Sequence, residues 1–268
     1  MEASVQQGPT AWQPLTPRGV AAFGRAPLGR VLAVQLVFAL LAAGTVIWFL
    51  HTGWFPIISR AISELPTEGE IRSGRLDWRG ESPKLLAEGR FLAVAVDLNH
   101  EGKARSPAHV GLEFGLRDVQ ILSLFGFITR AYPRDRVIVF NRTELGPWWG
   151  AWAPAILGLA AFAVIAGLML LWGLLATVYC VPVWLVGLYA NRDLSLGGSW
   201  RLAGAALMPG ALLMTLAVFA YGLRALDMVH LLAAGGAHFA AGWVYLVWSP
   251  LHSPRHPAAT GKGNPFAL

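Results

Sequence analysis

Cysteine is nearly absent from this chain of 268 residues: Cys180 stands alone, so no intramolecular disulfide can staple any part of it and each folded region must hold by burial and hydrogen bonding. Charge is scarce as well. Asp, Glu, Lys and Arg make up 13% of the residues, roughly half the share of an average soluble domain, which points away from a soluble globular protein. Lysine is the rarest cation, 3 against 18 arginines, the bias of a GC-rich bacterial genome. Catalytic signatures are missing too: there is no G-x-S-x-G, no H-E-x-x-H and no glycine loop built to cradle phosphate, so the sequence names no catalytic residue, cofactor or resident metal. The net charge of +6 does not signal nucleic acid. Outside the central polar stretch the basic residues (Arg18, Arg25, Arg30, Arg192, Arg201, Arg224, Arg255 and Lys262) adjoin apolar runs and mark membrane topology. Within that stretch 13 basic residues meet 12 acidic ones, which leaves no field for a polyanion.

What the chain has instead is apolar length. Residues 31–50 form a run long enough to cross a roughly 30 Å hydrocarbon core, and a tail of 30 residues precedes it, so it reads as an uncleaved signal anchor rather than a secretory leader. Residues 148–190 carry no charge over 43 positions, more than one span needs. Two arrangements fit. In one the stretch crosses twice; in the other it crosses once, near 149–172, and continues as an interfacial or re-entrant helix containing Pro182. The second places seven basic flanking residues on the side of the N-terminus and only Arg224 opposite, as the positive-inside rule prefers. With 202–223 and 228–248 as a hairpin, this predicts four spans and both termini cytoplasmic. Trp48, Trp54, Trp148, Trp149 and Trp152 fall at the outer ends of the first two spans, where aromatic belts lie.

Between the first two spans the period changes. Trp54, Ile58, Ala61, Ile62 and Leu65 recur at helical spacing until Pro66, predicting a short amphipathic helix at the membrane surface. From 110 to 116, Val110, Leu112, Phe114 and Leu116 alternate with Gly111, Glu113 and Gly115, the pattern of a strand with one buried face. Residues 91–96 are apolar throughout, as in a strand covered on both faces, and 70–78, 119–122 and 137–140 are further candidates. The expected fold class is an α-helical polytopic membrane protein of four transmembrane helices plus an interfacial or re-entrant helix. A small, mainly antiparallel β or α+β domain is inserted between the first and second spans. The segments are a flexible cytoplasmic tail (1–30), the first span (31–50), an extracytoplasmic domain (51–147), a membrane domain (148–249) and a cytoplasmic tail (250–268).

Five residues stand out as candidates. His238 lies near the middle of the last span among Gly235, Gly236 and Ala237. An ionisable group at that depth suggests a proton relay or metal ligand, and equally a neutral imidazole bonding across a tight small-residue helix contact. Pro209, with Gly210, interrupts the third span as either a gate or a static kink. His100 and His109 flank the loop between two strands. If those strands pair as a hairpin, the rings stand opposite each other near Asp97 and Glu101, a set that could hold a divalent transition metal or simply be solvated. His252 and His256 in the last segment carry less weight. Asn141-Arg142-Thr143 is a glycosylation sequon, of consequence only in a secretory eukaryotic membrane.

Further resemblance rests on the anchor, then Glu64-Leu-Pro-Thr-Glu-Gly-Glu-Ile-Arg-Ser-Gly-Arg-Leu, Ser82-Pro83, the apolar strand ending at Asp97, residues 110–121 and the later spans. In that order and spacing, over about residues 25–248, the chain resembles the bacterial membrane family labelled domain of unknown function 1189. The position after Asp97 holds Leu98 where the family pattern has threonine. Some members of that family are thought to accompany sugar-uptake systems, so the resemblance implies an architecture rather than an activity. The functional expectation is a non-enzymatic protein of the bacterial inner membrane. Its extracytoplasmic domain would bind or sense a protein or envelope partner, with the lipid bilayer as its other contact and a homo-oligomer as an open option. The alternatives are a small transporter or transporter subunit and an outward-facing membrane enzyme.

Overall fold

The computed structural model of the protein describes residues 12–255; residues 1–11, His256 and Lys262 lie outside them. Among the described residues, four helical segments are long and apolar enough to cross a membrane: Leu28–Ser63, Arg142–Tyr189, Leu196–Gly222 and Met228–His252. The chain divides into two compact units, one of residues 1–45 with 161–268 and one of residues 46–160.

The first unit is helical. Helix α1 (Pro17–Ala22) is capped by Thr16, whose hydroxyl accepts the Gly19 amide, and a 3-10 turn follows over Phe23–Arg25. Val20 and Phe23 are fully buried with Val31 of helix α2 (Leu28–Phe49) and with Ala176, Leu202 and Leu246. The expectation of a flexible tail to residue 30 is therefore corrected from Pro17 onward: Phe23 is an apolar anchor that the helices enclose. Residues 250–253, expected as tail, are likewise folded, in a 3-10 turn (Ser249–His252) with Pro250 and Ser253 buried.

Helix α3 (Phe55–Ser63) continues from α2 through a π-helical turn at Leu50–Trp54. Helix α4 (Arg142–Tyr189) runs 48 residues without a break, about twice the length one crossing requires. The separate interfacial or re-entrant helix is thus corrected: Pro182 sits inside one continuous helix, and the uncharged stretch does not turn back. The third span is broken instead. Helix α5 (Leu196–Ala206) ends one residue before α6 (Met208–Gly222), with Pro209 in the first turn of α6, where its missing N–H breaks no intrahelical bond. Helix α7 (Met228–Trp248) starts at the Asp227 cap and pairs with α6.

The second unit carries two sheets. Strands β1 (Glu70–Arg72) and β2 (Arg75–Asp77) form a tight hairpin whose turn places Ser73 and Gly74 at φ 51° and 75°. Strand β8 (Ile138–Val139) adds to β1. The larger sheet has the order β3-β4-β5-β6-β7, from β3 (Lys84–Glu88), β4 (Leu92–Val96), β5 (Val110–Phe114), β6 (Asp118–Ser123) and β7 (Gly126–Ala131). All its pairs are antiparallel except β4 with β5, which are parallel in the register Leu92↔Val110 to Val96↔Phe114. Leu92, Val94 and Val96 form a core with Leu86 and with Ala61 and Leu65, and Ile57 and Ile58 of α3 pack against it. The predicted amphipathic helix therefore turns its apolar face to the sheet.

Candidate functional site

The parallel pairing of β4 and β5 decides where the polar side chains go. The thirteen residues from Asp97 to His109 must carry the chain from the end of β4 back to the start of β5, a crossover usually made by a helix and made here by a loop. His100 and His109 consequently stand at opposite ends of the strands. The expected pair of facing imidazoles is corrected for that reason: it required a hairpin. The His109 ring lies edge-on to Phe91 at 5.9 Å, and its amide bonds the Arg90 carbonyl.

His100 sits where the loop leaves β4. Its amide bonds the Asp97 carbonyl at 3.1 Å, and its backbone adopts φ 53°, a left-handed conformation uncommon outside glycine and tolerated by histidine better than by most residues. This turn lays the ring across the ends of β5 and β6. Nδ1 lies 2.5 Å from Glu113 Oε1, and Nε2 lies 2.6 Å from Asp118 Oδ1. Gly115 makes room: a Cβ there would lie 2.3 Å from His100 Nε2. An imidazole that meets a carboxylate at each nitrogen is held as the cation, with both N–H groups donating. Burial, the largest single influence on the ring, pulls its pKa down. The hydrogen bonds that the ring donates to Glu113 and then to Asp118, with the charges of those acids, together outweigh that, and the ring titrates above the ordinary histidine value.

The surroundings fix the clasp. The Glu113 side chain is 4% exposed, against 23% for His100 and 29% for Asp118, so the acid on β5 depends most on the ring. Asp97 is buried, and its Oδ2 accepts the Gly102 amide at 2.8 Å, which ties the start of the loop together. The Tyr132 hydroxyl donates to the Gly115 carbonyl at 3.1 Å, and burial pushes its pKa upward, which keeps it a donor. Farther along the loop, the Ser106 hydroxyl donates to Glu88 at 2.7 Å. Beneath the loop, Ala93, Ala95 and Gly111 of the sheet and Arg105 and Ser106 of the loop line a cleft of about 160 Å³, below the roughly 300 Å³ at which small-molecule sites begin.

Among the described residues no three His, Cys, Asp or Glu side chains converge on a point suited to a metal ion. The clasp shows why in this instance: the ring separates its two acids instead of sharing a centre with them. Comparison with protein-family models, with curated proteins and with solved structures finds no match for this chain. The reading of the site therefore rests on its own chemistry.

The candidates in the helical unit are local. The His238 ring turns back on its own helix, with Nδ1 2.5 Å from the Gly235 carbonyl, and lies against Phe239 at 4.0 Å. The bond across a helix contact is corrected: the tight contact exists, but it is backbone to backbone, since a Cβ at Gly210 would meet the His238 carbonyl oxygen at 2.5 Å. The break at Pro209 thus brings Gly210 onto α7. Sequence reasoning passed over Gln35, a buried amide in α2 whose Nε2 donates to the Gly204 carbonyl of α5 at 3.3 Å; its signal was an isolated amide inside an apolar run. Arg201 and Arg25, which the sequence offers only as topology markers, also make defined contacts: Arg201 donates to the Gly24 carbonyl at 2.9 Å, and Arg25 pairs with Asp193 at 2.8 Å. Asn141 of the sequon is buried, accepts the Glu144 amide and donates to Gly69; it caps α4.

Proposed function

We propose that this is a non-enzymatic protein of the bacterial inner membrane, both termini cytoplasmic, whose extracytoplasmic sheet domain binds or senses a protein or envelope partner. The recognition end is the loop from Asp97 to His109 with the clasp beneath it. Membership of the family labelled domain of unknown function 1189 belongs to this proposal, supported by the order of anchor, Asp97-terminated strand and later helices.

One observation carries the reading: a built, charged clasp, partly open to water, holds a helix-free crossover loop in place. The loop presents Asn99, Glu101 and Lys103 to solvent, with Lys103 paired to Glu101 at 2.6 Å. A binding surface uses such a preorganised loop. A hydrolytic or acid–base site needs a carboxylate or imidazole free to take a proton from substrate, whereas here each acid already accepts from His100. Transport through the helices has less support, because Gly210 packs directly on the His238 backbone and no carboxylate faces that ring among the described residues.

The test is affinity purification of the tagged full chain in mild detergent after brief cross-linking, comparing wild type with His100→Ala and with a deletion of residues 90–140. The proposal expects a stoichiometric partner in the wild type that is weakened in His100→Ala and lost in the deletion. A partner retained at full occupancy by the deletion would overturn it.

A further inference from the structure

The hairpin of β6 and β7 ends in the most exposed apolar cluster of the sheet unit. Leu124 is 59% exposed, Phe125 75%, Phe127 65% and Ile128 70%. All six residues of β7 are exposed, and nothing in the sheet lies beyond it. Single exposed apolar residues need no explanation, but a contiguous cluster with two phenylalanines does.

The strand register shows which way this tip points. Ser123 pairs with Val110, and Val110 pairs with Leu92, so the tip extends beyond the same end of the sheet as Phe91. That ring packs edge-on against Phe49 at 5.0 Å, and a Cβ at Gly53 would touch it at 3.1 Å. Both residues belong to the first membrane-length segment, Leu28–Ser63, at the point where its apolar run ends. Neighbouring Phe55 lies 4.8 Å from Trp149, and Trp148 and Trp152 beside it on α4 are half exposed and stack on each other. Tryptophans at the ends of apolar spans mark the membrane–water interface. The hairpin tip is therefore directed toward the layer that this tryptophan belt occupies, while the clasp of His100 sits at the other end of the same strands.

We propose that the tip of the β6–β7 hairpin dips into the lipid leaflet that the protein's own helices enter, with Leu124, Phe125, Phe127 and Ile128 in contact with acyl chains. Amphipathic elements seat their apolar face about 5–10 Å into the headgroup and acyl boundary, a depth within reach of a two-residue turn and the strand residues beside it. The belt supplies continuity: the tip extends an apolar surface that the spans already bury in lipid. Lipid thereby also covers the exposed start of the β7 edge, where an unpaired strand would otherwise invite aggregation. The hairpin would act as a third membrane contact beside the two tethering helices, fixing the tilt of the sheet domain on the surface. The inference does not depend on the partner reading or on which side of the membrane the domain lies.

The test uses the full chain in proteoliposomes, with Cys180→Ser as background and a nitroxide attached to Phe125→Cys, to Phe127→Cys or, as a water-exposed control at the opposite end of the hairpin, to Asp135→Cys. The readout is relaxation of the label by oxygen, which concentrates in lipid, and by a water-soluble nickel chelate. Because both tip positions are exposed, the substitutions disturb no packing. The proposal expects the oxygen-to-nickel accessibility ratio to be several-fold higher at 125 and 127 than at 135. Equal ratios at all three positions would place the tip in water and overturn it. Exclusion of both relaxants at 125 and 127 would overturn it as well, by showing that protein covers the tip, whether a second copy pairing along β7 or another partner.

Discussion

Removing the His100 imidazole should open the crossover loop far more than it disturbs the rest of the sheet. In His100→Ala the Glu113 carboxylate, 4% exposed in place, loses its charged donor. Loss of a hydrogen bond to a charged group costs about 1.5–3 kcal/mol, rising to about 3–5 kcal/mol where a buried charge is left uncompensated. Asp118, at 29% exposure, regains water and adds little. The relief of the left-handed backbone at residue 100 is small, because alanine tolerates φ 53° no better than histidine. A loss of about 3 kcal/mol corresponds to roughly 100-fold more frequent opening. Hydrogen exchange of the full chain in lipid nanodiscs, read by mass spectrometry, reports this directly. The amides to follow are those that close the loop: Asp97 to the Phe114 carbonyl, Gly102 to Asp97 and Leu116 to the Leu98 carbonyl. They should exchange about 100-fold faster in the variant, while the β1–β2 hairpin keeps its wild-type rate. Loop amides within about threefold of wild type would show that the clasp does not hold the loop, and the reasoning would fail.

Further predictions concern neighbouring features. The folded His100 titrates above its ordinary value, so the clasp's stabilisation is complete below the unfolded histidine pKa and is lost as pH rises through the folded one. Loop exchange, corrected for intrinsic pH effects, should accelerate on the alkaline side, and His100→Gln should abolish that step. The groups facing the ring are Glu113 and Asp118, with Asp97, Glu101 and Lys103 on its own loop. Gly115→Ala places a methyl 2.3 Å from His100 Nε2 and should displace the ring, reproducing much of the His100→Ala exchange pattern at a cost of about 1–3 kcal/mol. Gly210→Ala sets a methyl 2.5 Å from the His238 carbonyl and should push α6 off α7, lowering the detergent melting temperature by the equivalent of about 1–3 kcal/mol. Gln35→Leu should cost only about 0.6 kcal/mol, the mean worth of a hydrogen bond between membrane helices, because the amide makes a single 3.3 Å bond to Gly204.

The four apolar helical segments and the polar insert were legible because apolar run length is a strong signal, and β5 because Val110, Leu112 and Phe114 alternate along it and pack against the sheet core; the alternation misplaced the burial, since the one buried side chain of the strand is Glu113, on the face that reads as polar. Strand β3 escaped because a register irregularity between Leu85 and Ala87 breaks the alternation that period-2 reading needs. Strand β7 escaped for the opposite reason: with both faces exposed, its pattern has no buried side to report. The single 48-residue α4 was hidden by proline, which reads as an interruption even where the helix continues. His100 and Asp97 were visible as candidates, but their partners were not. Glu113 and Asp118 reach the ring only because β4 and β5 run parallel, and strand direction is not written in local spacing. Gly115 followed by Asp118 was the one available hint, a glycine and an acid placed where a ring would have to pass.

Recognition at the clasped end of the sheet is the claim on which the functional account turns. Site-specific photo-cross-linkers at Asn99, Glu101 and Lys103 in the full chain, expressed in a bacterial inner membrane with Phe125, at the opposite end of the strands, as the control position, test it most directly. The account predicts a discrete adduct of one mass from the loop positions, weakened by His100→Ala and absent at position 125. No adduct from any loop position in a correctly inserted protein, or the same adducts at 125 as at the loop, would contradict it.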